Sequence, residues 1–320
     1  MTSTARICQL LFTLVALCPL WSHGMSSTFR ETRGASALLD NFETVFYSTT
    51  ELLSGATSSV LSERDRKALS VPFAQLSSGL KAIGVNAEAD FMNASEGVLV
   101  GAKDFAPPKH LGSVQSRFCY VLILRNHNTP KVGQYFRSAP ISVVKEAPVW
   151  NWPSKPSEGN PTPSPLYLAQ AAQSYIVITD ELSELGPMLD DLRSLGESKS
   201  ALPSVREWQY LSPHPFWGYR RYRDGSENEN KVAAGLTEIS PAAKALLFTV
   251  DLNKNTGQLR LQTSPSDGRT VSNLSAKMSL PPWMQVGSGL WETDIVLRDD
   301  EITLERLFSV MGLFGFGIYL

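Results

Sequence analysis

The side chains best suited to chemistry are few in this sequence and far apart. It holds four histidines and three cysteines. His110, His127 and His214 are separated by so many residues that no local pair can grip a metal ion, so neither metal nor cofactor is expected. The compact catalytic signatures are missing as well: there is no G-x-S-x-G elbow, H-E-x-x-H helix, C-x-x-C, P-loop or G-x-G-x-x-G turn. Cys119 lies in Phe118–Leu124 (FCYVLIL), where apolar neighbours on both sides hold a thiol protonated and inert; it is expected in the core. Asp251-Leu-Asn253-Lys-Asn255-Thr-Gly257 has the acidic spacing of a calcium loop. Its glycine is one position late, however, and Gln262 stands where a bidentate carboxylate is needed. A hairpin turn explains those residues better. Asp180, Glu181, Glu184, Asp190 and Asp191 read as a solvated helix face. No catalytic residue is assigned.

The most distinctive stretch is Trp208–Arg223 (WQYLSPHPFWGYRRYR). Six of its sixteen residues are aromatic, against 9% for the whole chain, and three are arginine. Aromatic faces beside guanidinium groups can stack on a ligand or a partner, which makes Trp208, His214, Trp217, Tyr219, Arg220, Arg221 and Arg223 the candidate binding residues. Trp150 and Trp152 are candidates to extend that surface. The competing reading is structural: Phe216–Tyr222 has the large side chains of a packed strand, led in by the rigid Pro213-His214-Pro215 turn. A secreted hydrolase assembled from dispersed residues around His214 is the enzymatic alternative.

Charge and composition exclude other classes. With 29 basic and 31 acidic side chains and a net charge of −2, the chain has no basic footprint for nucleic acid. Its 42% apolar content excludes disorder. Arg6 followed by the apolar stretch Ile7–Trp21 and the small residues Ser22 and Gly24 predicts a signal peptide over residues 1–24, cleaved near Gly24, and a secreted or periplasmic protein. Leu17 before Cys18 argues against lipidation at that cysteine. After cleavage Cys119 is the single thiol, so no internal disulfide is expected and the fold must rest on its core. Asn93-Ala-Ser95 and Asn273-Leu-Ser275 fit the N-glycosylation pattern.

These residues need a scaffold, and the periodicity outlines one. Residues 25–35 read as a loose segment. Leu38, Phe42, Val45, Phe46, Leu52 and Leu53 recur at helical spacing, predicting an amphipathic helix from Ser36. A second helix opens at Ser62 and ends at Gly84, broken by Pro72. Strands are expected over Gly97–Lys103, Phe118–Leu124, Ile141–Val144, Leu166–Ala169, Tyr175–Thr179, Phe216–Tyr222, Leu246–Leu252, Gln258–Thr263, Ser275–Leu280 and Trp291–Leu297. Phe118–Leu124, apolar on both faces, belongs in the middle of a covered sheet. Asp180 caps a helix running to about Leu195, split at Gly186-Pro187. Asp299-Asp300-Glu301 opens a last helix.

The pattern is α+β: a mostly antiparallel multi-stranded sheet with a few packed helices. It reads as one domain over 36–320, with a two-lobe division (36–152 and 166–320) at the Pro-rich loop 153–165 as the variant. Phe308–Leu320 is thirteen residues without a charge, too short to span a bilayer as a helix. It is expected to pack in the core, with peripheral membrane contact as the alternative; no integral span is expected after cleavage. The functional expectation is a non-enzymatic exported protein that binds a ligand or partner protein through the aromatic, Arg-rich region.

Overall fold

The computed structural model describes residues 31, 34–39, 41–53, 74–83, 86–103, 117–125, 132–136, 138–152, 166–171, 174–193, 208, 210–212, 214–221, 244–251, 256–263, 271 and 281–296. Their dominant feature is one antiparallel sheet of twelve strands. In chain order these are β1 (Thr44–Thr49), β2 (Ser95–Lys103), β3 (Arg117–Leu124), β4 (Ser142–Val144), β5 (Ala147–Trp152), β6 (Leu166–Ala171), β7 (Tyr175–Thr179), β8 (Phe216–Arg221), β9 (Ala245–Asp251), β10 (Thr256–Gln262), β11 (Met284–Gly287) and β12 (Leu290–Val296). Across the sheet the order is β11-β12-β10-β9-β8-β1-β2-β3-β7-β6-β5-β4. Strands from both sides of the Pro-rich stretch 153–165 join in it, β3 pairing with β7 and β1 with β8.

Both faces of the sheet carry core. Successive side chains point to opposite faces, so a strand covered twice is apolar without a break. β3 is the clearest case: Tyr120, Leu122 and Leu124 enter one cluster, and Cys119, Val121 and Ile123 the other. On the first face, α1 (Ala74–Ile83) and α2 (Ala87–Ala94) contribute Leu76, Leu80, Phe91 and Ala94. On the second face lie a helical segment at residues 34–39 and α3 (Leu182–Arg193), which buries Leu185, Met188, Leu189 and Leu192. The four-residue spacing of those leucines and the methionine is what makes α3 amphipathic.

Two expectations need correction. The helix predicted from Ser36 stops before Thr44; residues 44–49 (TVFYST) are strand β1, with Phe46 in one core cluster and Val45 and Tyr47 in the other. A doubly covered strand mimics helical spacing because both of its faces are apolar. The predicted break at Gly186-Pro187 is absent, since α3 runs through Pro187. β5, α2 and β11 had no counterpart in the sequence reading. The predicted strand Ser275–Leu280, the helix opening at Asp299 and the tail Phe308–Leu320 fall outside the described residues.

The two ends of the sheet differ in construction. β4 and β5 are joined by the two-residue turn Lys145-Glu146, with φ of 47° and 62°. Positive φ at both central residues is the twist-matched hairpin geometry. Helix α3 holds this turn: the Lys145 ammonium pairs with Asp190 at 2.8 Å, and the Arg193 guanidinium donates to the Lys145 carbonyl. At the opposite end, β11 pairs with β12 through a register shift between Gln285 and Gly287.

Candidate functional site

The aromatic segment contributes β8 to the centre of the sheet and a helical turn, closed by the Ser212 amide on the Trp208 carbonyl at 2.9 Å, that lies over the second face. Trp208, Trp217 and Tyr219 are all buried there. Trp217 is fully enclosed: Tyr47 stacks on it at 5.6 Å between ring centroids, and Trp208 meets it edge-on at 5.7 Å. Its indole Nε1 donates to the Glu31 carboxyl at 3.1 Å. Arg220 points to the first face and is also buried, donating to the Thr44 hydroxyl at 3.2 Å. Arg221 is exposed and reaches the Leu39 carbonyl at 3.4 Å. His214 is half-buried, its ring 6.0 Å from that of Tyr210. Arg223, His110, His127 and Asn273 lie outside the described residues. The segment therefore packs; its described tryptophans and Tyr219 do not form an exposed stacking surface.

What the fold brings together is a row of side chains running straight across the strands. Leu99 on β2 stands beside Tyr47 on β1, then Trp217 on β8, Thr249 on β9, Gln258 on β10 and Asp294 on β12. The row passes from aliphatic through aromatic to hydroxyl, amide and carboxylate as it leaves the helix-covered centre. A neighbouring row repeats the trend through Val45, Tyr219, Leu247, Arg260 and Glu292.

Tyr210 sits over the polar end. Its hydroxyl donates to the Gln258 side-chain carbonyl, and Arg260 stacks on its ring with the guanidinium carbon 3.4 Å from the centroid. Gln258 Nε2 donates to Glu292 at 2.8 Å and also to Asp294, while Arg260 Nε pairs with Glu292 at 2.5 Å. Burial pushes the Tyr210 phenol up to about 12. It remains a neutral donor at physiological pH.

This network is the best-developed polar cluster among the described residues, and its members bond mainly to one another. A half-buried guanidinium between a carboxylate and an aromatic face stabilises the sheet end. Sequence reading missed Glu31, Tyr47, Thr249, Gln258, Arg260, Glu292 and Asp294 here. Only Tyr210 carried a signal, by lying in the aromatic stretch.

Other sequence candidates find plain positions. Cys119 is fully buried opposite Gly101 and Thr179. Asp251 on β9 faces Thr256 on β10 as the last pair of two antiparallel strands, as a hairpin requires. In Asn93-Ala-Ser95 the asparagine is exposed, but Ser95 is buried and donates to the Phe91 carbonyl at 2.6 Å. Among the described residues no group of three or more His, Cys, Asp or Glu is placed to hold a metal ion. No described helix is long and apolar enough to cross a membrane.

No family model and no curated protein matches the sequence. Among solved structures, the chain is similar to crystal form I of TP0453 at 13% identity and a TM-score of 0.43, covering 89% of this chain and 97% of that one. Crystal form III of TP0453 gives 11% identity and a TM-score of 0.39, covering 85% and 94%.

The exposed apolar side chains are elsewhere. Ile141 and Val143 at β4 are 47% and 69% exposed, and Met284 and Val286 at β11 are 55% and 45% exposed. Ala139, Pro140 and Pro148 beside β4 are exposed too. Both ends of the sheet thus present apolar groups to solvent, while the aromatic-rich β8 presents almost none.

Proposed function

We propose that this is a non-enzymatic exported protein that binds a partner polypeptide along the free edge of its sheet at β4. One observation carries the reading: Val143 on the strand that ends the sheet among the described residues, and Ile141 just before that strand, are apolar and exposed. Solvent-facing edge strands are normally blunted by charge, proline or a bulge, because unpaired backbone groups recruit other strands. β4 has part of that protection, being three residues long with Pro140 before it and with the Ile141 amide bonded to Val149, which Ser142 also faces, but its exposed side chain Val143 is aliphatic. In a two-residue hairpin the closing pair, Val144 and Ala147, exchanges hydrogen bonds, which turns the amide and carbonyl of Val143 outward. An added strand would take main-chain bonds from Val143 and apolar contact from Ile141 and Val143.

Export rests on the N-terminal pattern of residues 1–24, and N-terminal sequencing of the secreted or periplasmic protein should begin after Gly24. Binding is favoured over hydrolysis because the polar groups gathered at Tyr210 are engaged with each other rather than converging on an open position. The partner reading is tested by affinity purification from the producing cells with the natural sequence and with a double Ile141→Lys, Val143→Lys variant. A discrete partner recovered with the first and lost with the second is expected. Equal recovery with both would overturn the reading.

A further inference from the structure

We infer that Glu31 is a proton-controlled latch: protonated, it seats its helical segment on Trp217; ionised, it loosens that segment from the sheet. The placement is unusual for a carboxyl. Residue 31 and residues 34–39 are helical and buried, and Glu31, Ala35, Leu38 and, just past the helical residues, Phe42 fall at the three- and four-residue spacing of one helix face. Three of those positions are apolar and pack on the second face. The first is a glutamate 8% exposed, accepting a hydrogen bond from Trp217 Nε1 at 3.1 Å. Trp217 is itself fixed by Tyr47 and Trp208, so the donor cannot follow the carboxyl if it moves.

The surroundings disfavour a charge at this place. From β8 Glu31 faces Trp217, whose bond favours the anion, and from β2 the carboxylate of Glu96 opposes it. From β1 it acts on Tyr47, on which Glu96 and Glu51 also act. Burial outweighs the indole bond and pushes Glu31 up to about 8 from an ordinary value of 4.5. The docked segment then binds more protons than the released one throughout that interval. Docking is strongest below the ordinary value, weakens as pH rises toward about 8, and levels off above it.

Hydrogen exchange of the intact protein, corrected for intrinsic rates, tests this in the amides of residues 34–42. Where exchange proceeds through release of the segment, protection should fall about tenfold per pH unit between about pH 5 and 8. Glu31→Gln keeps the acceptor without the charge and should abolish that slope. A flat profile in the natural protein, or the same slope in the variant, would overturn the latch. Should the variant fail to fold, infrared titration of the unmodified protein decides: a buried protonated carboxyl band surviving to about pH 8 supports the latch, and its loss near the ordinary carboxyl value sinks it.

Discussion

β8 and β4 invert what their residues advertise. β8 (FWGYRR) has the composition of a binding surface, yet Phe216, Trp217, Tyr219 and even Arg220 are buried between flanking strands and covering segments. β4 and its preceding residue carry Ile, Ser and Val, the composition of an interior strand, yet Ile141 and Val143 stand in solvent. The difference is position in the sheet. β8 has β1 on one side and β9 on the other; among the described residues β4 has β5 alone. Availability to a partner is decided by strand order, and residue type decides only what contact follows.

The sharpest way to break this comparison is at the centre of β8. Trp217→Ala should destabilise the protein by about 3–5 kcal/mol, because it empties the space between Tyr47 and Trp208 and leaves the Glu31 carboxyl without its donor. Denaturant unfolding measures this. A loss below about 1 kcal/mol would mean that the aromatic segment is not core after all.

Gly218 offers a finer probe. A Cβ there would run into the Phe248 ring, whose seat is the first-face core. Gly218→Ala should cost about 1–3 kcal/mol through overpacking, seen as a lower denaturation midpoint. At β4 the expected effect on stability is the smallest: Val143→Lys should stay within about 0.5 kcal/mol of the parent, because its side chain is 69% exposed. The same substitution should remove partner binding, so stability and binding separate at β4.

How far the sequence reveals this arrangement depends on the element. β3 and β7 were legible because they are apolar without interruption, as strands covered on both faces must be. The α+β class followed from many short strands with few helices, and the described elements agree with it. β1 was misread because Leu38, Phe42 and Phe46 continue a four-residue spacing across the true end of the helix. The row from Tyr47 through Trp217 and Thr249 to Gln258 and Asp294 was hidden for another reason. Its members come from five strands, and their meeting is a matter of register, which no local spacing records. The edge position of β4 was equally invisible, since Ile141–Val144 reads like any short buried strand.

The β11 end is the natural control for β4. It also exposes apolar side chains, Met284 and Val286, but its pairing is interrupted by the irregularity between Gln285 and Gly287. A bulge twists an edge away from further strands; at β4 the irregularity, the Ile141 amide on the Val149 that faces Ser142, precedes the strand and leaves Val143 in register, whereas at β11 it falls inside the strand, so β11 should recruit a partner less well than β4.

Site-specific photocrosslinking in the producing cells tests that claim most directly, with the reactive residue placed in turn at positions 143, 286 and 81. Lys81 is an exposed position on α1, away from either edge. The account predicts one discrete adduct from position 143, lost when Ile141→Lys is added, with little from 286 and none from 81. No adduct at 143, or the same adduct from all three positions, would contradict it.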